Sequence, residues 1–240
     1  MGNKAHVNLT GSDLHEPKGV ATAAVNTTYV ADGSGSGKWK TPSGSSQNTV
    51  TVNSVSDLPT AISSVITLED STVYIVSGTV ALGANRILMG DNSALMGSFA
   101  HTDVLTSTNS GAMITASASF KLGSVGFSTS GEWLNCTGVG AEEAYIVDVE
   151  VASCTVLGTI TSWNFLSIFG CHFETASTDG FRFAGSCTHA SIDSSHFHST
   201  VLGIQVDLGT ATFDHFNLGP NNAMSLASGI TGLNVATIGA

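Results

Sequence analysis

One repeated phrase constrains this chain more than any other feature. It is an apolar residue, a variable one, a small or polar one, two more variable ones, then a second apolar residue. It recurs between Lys121 and the C-terminus as Leu122–Phe127, Ile146–Val151, Ile168–Phe173 and Ile192–Phe197, with looser copies at Phe213–Leu218 and Leu233–Ile238. The starts at 122, 146, 168, 192, 213 and 233 are spaced by 24, 22, 24, 21 and 20 residues. A period in the low twenties is that of a solenoid in which one repeat is one coil, and it is too short for helical repeats. Val, Ile, Phe and Thr fill the phrases, and Gly, Ser, Asn and Asp fill the gaps, as strands and corners require. No segment carries a helical apolar stripe for three turns. The chain is therefore expected to be all-β, a right-handed parallel β-helix with coils of about 20–24 residues stacked about 4.8 Å apart.

Three segments follow from this reading. Residues 1–48 lack the period and read as an extended N-terminal arm. Within it, Gly33 to Gly37 is either a flexible hinge or the turn of a tight hairpin whose legs are Tyr29-Val30 and Trp39-Lys40. The Gly-Lys here is not a phosphate loop, because Asp32 and Trp39 stand where that motif needs Gly and Ser/Thr. Residues 49–120 hold a capping segment and the first coils. Asp57-Leu58-Pro59 followed by Ala61 to Val65 suggests a short capping helix with Asp57 as its N-cap. Thr102 to Ser110 reads as a polar loop. Residues 121–240 form the regular coils.

Composition narrows the function. The 240 residues hold 7 basic and 18 acidic side chains, a formal net charge of −11, so no Lys/Arg cluster is present to neutralise nucleic-acid phosphates. No run of about 18 apolar residues exists to span a membrane, and the N-terminus has no apolar core of a secretory signal. The four cysteines, at 136, 154, 171 and 187, fall out of step with the coils and read as free, mostly buried thiols.

Two sets of side chains could carry chemistry if the first, third and last positions of the phrase face inward and the variable ones face outward. Asp193 and Asp214 share the second position one coil apart, which would bring their carboxyls to about 5 Å, the spacing of a retaining glycosidase; the alternative is two solvated surface acids. His172 and His196 share the fifth position, with His198 two residues on. They could hold a transition metal with Glu150 or His198 as third ligand, or form a polar stack or subunit contact. Asp148 and His215 would fall at the inward third position, which implies a local change of register. Glu142-Glu143 reads as a solvated loop tip. Trp163, Phe165, Phe169, Phe181 and Phe183 form the richest aromatic stretch; most belong in a core, and any left exposed is the best partner or glycan contact.

Asp57-Leu-Pro, Val73-Tyr-Ile-Val-Ser-Gly-Thr-Val-Ala-Leu-Gly83 and Arg86-Ile-Leu-Met-Gly-Asp-Asn-Ser-Ala-Leu-Met-Gly97 resemble the opening coils of β-helix proteins carried by tailed bacteriophages. Asp13-Leu-His-Glu-Pro-Lys-Gly19 and Tyr29 to Trp39 are similar to the N-terminal segment of phage virion proteins. The resemblance implies a non-enzymatic fibre, spike or decoration protein of the virion, assembled in the host cytoplasm and without cofactor. It also implies a homotrimer, fixed to other virion proteins of head or tail through the arm, with His15, Glu16, Pro17, Tyr29 and Trp39 as attachment residues and host-surface glycan as a ligand. A glycan-cleaving tailspike acting through Asp193 and Asp214 is the alternative. A free β-helix enzyme is a third class.

Overall fold

The structure is a computed structural model. It describes residues 28–31, 37–40, 48–174, 176–198, 206–209, 211–219, 221–224 and 233–234. The chain divides into two compact units, Met1–Gln47 and Asn48–Ala240.

In the first unit, Thr28–Ala31 pairs antiparallel with Gly37–Lys40, placing Tyr29 opposite Trp39. Of the two readings of this segment, the hairpin is the one found. His15, Glu16 and Pro17 lie outside the described residues.

The second unit is a parallel β-helix with three faces. The first face holds eight strands: Asn48–Val52, Thr72–Val76, Ser93–Met96, Phe120–Gly123, Glu143–Val147, Phe165–Phe169, Ser186–Asp193 and Thr212–Leu218. The second face follows it in each turn, at Thr79–Ala81, Val104–Ser107, Gly126–Thr129, the start of Glu150–Thr161, His172–Phe173, His196–Phe197 and Ala223–Met224. The third face closes the turn and runs from Val65–Thr67 to Leu233–Asn234. All pairings within the three faces are parallel, and Glu150–Thr161 bends to serve two of them. About seven turns stacked at ~4.8 Å make a unit on the order of 34 Å long.

Each face contributes inward columns. On the first, one runs Val50, Tyr74, Leu95, Leu122, Ile146, Ile168, Ile192 and Leu218. On the second, Val151, Phe173 and Phe197 stack with no exposure at all. On the third, Gly158 sits beneath Phe181, where an added Cβ would lie 3.1 Å from the ring. That small residue makes room for a ring which also meets Phe173 and Trp133 edge-on.

The repeated phrase turns out to straddle the corner between the first and second faces. Its first, fourth and sixth positions point inward. Its third position is not inward: it is the corner itself. Ser124, Asp148, Gly170 and Ser194 occupy it with φ of 48°, 53°, 66° and 51°. Asp148 is therefore exposed and accepts a hydrogen bond from Ser124 Oγ at 2.8 Å, so no carboxylate is buried there and no register change is needed.

Register does shift in the last coils. Ile192 pairs with Leu218, and Phe213 pairs with Cys187, so the step is 26 residues and the copy expected to begin at Phe213 is out of phase. His215 lies outward and exposed, beside His189.

Other expectations need correction. The helix proposed from Asp57 is a single 3-10 turn at Val55–Asp57. Asp57 closes it from its end, its carboxylate accepting from the Asn53 and Ser54 N–H groups at 2.9 and 3.0 Å. Ser63 and Ser64 both adopt positive φ, which breaks any helix over 61–65. Within the supposed loop 102–110, Val104–Ser107 is a second-face strand. All four cysteines are free and buried; burial pushes the Cys154 and Cys171 thiols up to about 12.

Candidate functional site

Alternate residues of a strand share a face, so the outward side of the second face can be read from the phrase. Its fifth position gives the column Gly126, Glu150, His172 and His196. Two residues further on, Glu174 and His198 take the neighbouring places: their N–H groups bond to Val151 and Phe173 carbonyls at 2.9 Å each. Five ionisable side chains from three successive coils are thereby gathered on one surface.

The imidazoles are close. His172 and His196 stack at 5.1 Å with 16° between their planes, and His198 lies 5.0 Å from the first and 4.6 Å from the second. Ligand atoms of His172, His196 and His198 all fall within 4.8 Å of one another, as do those of Glu150, His172 and Glu174. His172 belongs to both groups. Its Nε2 is buried and has no hydrogen-bond partner among the described residues. Burial, and then the neighbouring His198, hold the His172 imidazole below the usual histidine range; His196 is lowered by burial, then by His198 and His172. Neutral imidazoles are the form that binds metal.

A loop covers one end of this surface. Residues 97–103 connect the first face to the second, and they place His101 against the Glu150 carboxylate. Asp103 fixes the loop: it accepts N–H bonds from Gly78 at 2.9 Å, Ser98 at 2.7 Å and Phe99 at 3.2 Å. Ala100 then lies over Gly126, leaving no room for a side chain, since a Cβ there would sit 2.1 Å from the Ala100 carbonyl oxygen. A small cleft of about 140 Å³ remains between this loop and the corner, lined in part by Phe99, His101, Glu150 and His172. Burial raises the Glu150 carboxyl above its ordinary value, with His101 opposing.

Asp193 and Asp214 are not brought together. Asp193 ends its first-face strand beside Phe169, and the residue stacked over it is Gly219, whose Cβ would strike the Asp193 carboxyl at 2.2 Å. Asp214 lies between Phe213, paired with Cys187, and His215, paired with His189, five residues back along the strand from Asp193's position. That is roughly 16 Å at strand rise. The cause is the longer last step, which the spacing of apolar residues did not reveal.

The first face has its own outward feature. Phe169 is 50% exposed and Val147, its partner in the preceding coil, is 43% exposed. Tyr145 packs on Phe165 at 5.3 Å, and His189 and His215 continue that strip. Trp163, Phe181 and Phe183 are core. Glu142, expected at a solvated tip, is buried: its carboxylate folds back to accept N–H bonds from Val139, Gly140 and Ala141. Sequence reasoning missed His101 and Glu174. His101 arrives from a loop two coils away, which no repeat could indicate, whereas Glu174 stands two residues after His172 just as His198 follows His196.

No family model, no curated protein and no solved structure matches the chain.

Proposed function

We propose that the protein is a structural component of a tailed-bacteriophage particle, a fibre, spike or decoration built from a β-helix. Residues 1–48 attach it to other virion proteins, the coils project or pack as a homotrimer, and host-surface glycan is the ligand class. The observation that most supports this reading is the unbroken stack of eight first-face strands, joined by parallel pairing at every step. Such a stack is a stiff rod, each coil supported by the next. The resemblance of the opening coils and of the arm to phage virion proteins supplies the setting. The exposed apolar pair Val147 and Phe169 supplies a surface for contact between copies.

Immunogold labelling of particles made from the genome that encodes this chain, with antibody raised against the full chain, tests the reading. Gold on head or tail is the expected outcome and tells the two locations apart. Intact particles without label, in preparations where the free protein labels, would remove the virion assignment.

A further inference from the structure

We propose that His172, His196 and His198 form a binding site for one divalent transition-metal ion, of which zinc is the type case. Nothing in the proposal depends on where the protein serves.

Three imidazoles present nitrogen donors, which suit zinc, nickel, cobalt and copper and not the hard ions magnesium and calcium. Their ligand atoms already lie within 4.8 Å of one another. A tetrahedral site with metal–nitrogen bonds of about 2.0–2.1 Å needs donors roughly 3.4 Å apart. Small rotations of exposed-side rings close that difference without moving the backbone, whose position is set by the buried Phe173 and Phe197 between and beneath them. An open fourth position would be left to water.

Two further observations point to a ligand. The buried Nε2 of His172 has no hydrogen-bond partner among the described residues, a state that costs free energy unless something occupies it. And the negative charge needed beside a dication is present: Glu150 and Glu174 reach within 4.8 Å of His172's ligand atoms. Among the described residues, the ionisable groups beside the site are His101 from the loop, Glu150 from the preceding coil and Glu174 from the coil of His172; the backbone ladder continues from His196 to Ala223. The ion would join two coils, since His172 comes from one and His196 and His198 from the next. It would therefore clamp the helix near its C-terminal end.

The chain contains its own control. His189 and His215 also lie side by side one coil apart, 4.9 Å between ring centres, on the first face. Among the described residues, no third imidazole joins them.

The test is titration of the full, chelator-treated chain with zinc, followed by calorimetry and by thermal unfolding. Native chain should bind one ion tightly and unfold at a higher temperature when loaded, because a ligand of the folded state alone stabilises it. H196A/H198A should weaken binding by about 100-fold or more, as loss of two of three ligands requires, while H189A/H215A should bind as the native chain does. Retention of full affinity in H196A/H198A, or no binding by native chain, overturns the proposal. Should H196A/H198A fail to fold, imidazole NMR of native chain decides: zinc must shift the resonances of His172, His196 and His198 and spare those of His189 and His215. Shifts confined to His6 or His15 would equally overturn it.

Discussion

Ser124, Asp148, Gly170 and Ser194 take the same left-handed backbone conformation on four successive coils, though only one of them is glycine. The position is set by the corner, and the corner recurs because the inward residues on either side of it must recur. A Cβ on Gly170 would meet nothing closer than ordinary contact, its nearest neighbour being 4.0 Å away. Gly170→Ala should therefore cost only the conformational penalty, about 1 kcal/mol, read as a lower urea midpoint with unchanged slope. Gly126→Ala differs in kind: its Cβ meets the Ala100 carbonyl, so the loop carrying His101 must move. We expect a loss of about 1–3 kcal/mol and altered His101 resonances, whereas Gly170→Ala leaves His101 unchanged. Asp103 and Glu142 are held below the ordinary carboxylate range. Asp103 owes this first to the Gly78 N–H; for Glu142, burial opposes but the N–H groups of its own loop outweigh it. Both bind protons more readily in the unfolded chain. Their stabilising contribution is thus complete above the unfolded values, about 4, and disappears as pH falls through the lower folded ones. Urea midpoints should fall steeply below about pH 4 in the native chain and less so in Asp103→Asn, whose stability at neutral pH is already lower by about 1.5–3 kcal/mol.

At the scale of the strand, the second face joins an apolar inside to an ionisable outside through simple alternation. Phe173 and Phe197 anchor the strands that carry His172 and His196, 5.0 Å apart ring to ring. Phe173→Ala should cost about 3–5 kcal/mol and loosen the imidazole cluster along with the core. Alternation is why this cluster was legible in the sequence: Glu150, His172 and His196 share the fifth position of phrases that stay in register from 122 to 192. The Asp193–Asp214 pairing failed for the converse reason. It relied on Phe213 beginning a phrase, but a pattern of apolar residues does not fix which of two nearby ones faces inward. Phe213, Phe216 and Leu218 all lie against the core, and only backbone pairing shows that Leu218 continues the column. The corner residues are hidden in the sequence for a similar reason. A small or polar residue between apolar ones reads as an inward place when it is a turn.

The whole second unit behaves as stacked layers, each stabilised by its neighbours. Central coils, covered on both sides, should exchange their amide hydrogens most slowly, and protection should fall toward both ends. Binding of zinc, if it clamps two coils, should raise protection selectively around 172–198. Assembly belongs to this scale too. The chain has a mass of 24.4 kDa, and the proposed trimer should weigh three times that by native mass spectrometry. Charges introduced at the exposed apolar strip, Val147→Lys with Phe169→Lys, should return it to the mass of one chain without lowering the unfolding temperature of the isolated chain. Persistence of the trimer in that variant would place the contact elsewhere. The period, the all-β class and the parallel stack were legible because each coil must repeat its inward residues. The arm's hairpin and the loop over Gly126 were not fixed in advance, since nothing repeats there. The coils differ in length: neighbouring first-face strands are 24, 21, 27, 24, 22, 24 and 26 residues apart, yet they remain paired. The surplus leaves at the corners, as at Val139, which is 91% exposed. A gene of this kind can thus gain or lose short stretches of code at its corners while its interior is kept, and a foreign epitope inserted beside Val139 would be displayed outward at the cost of the bonds that the Val139, Gly140 and Ala141 N–H groups make to Glu142.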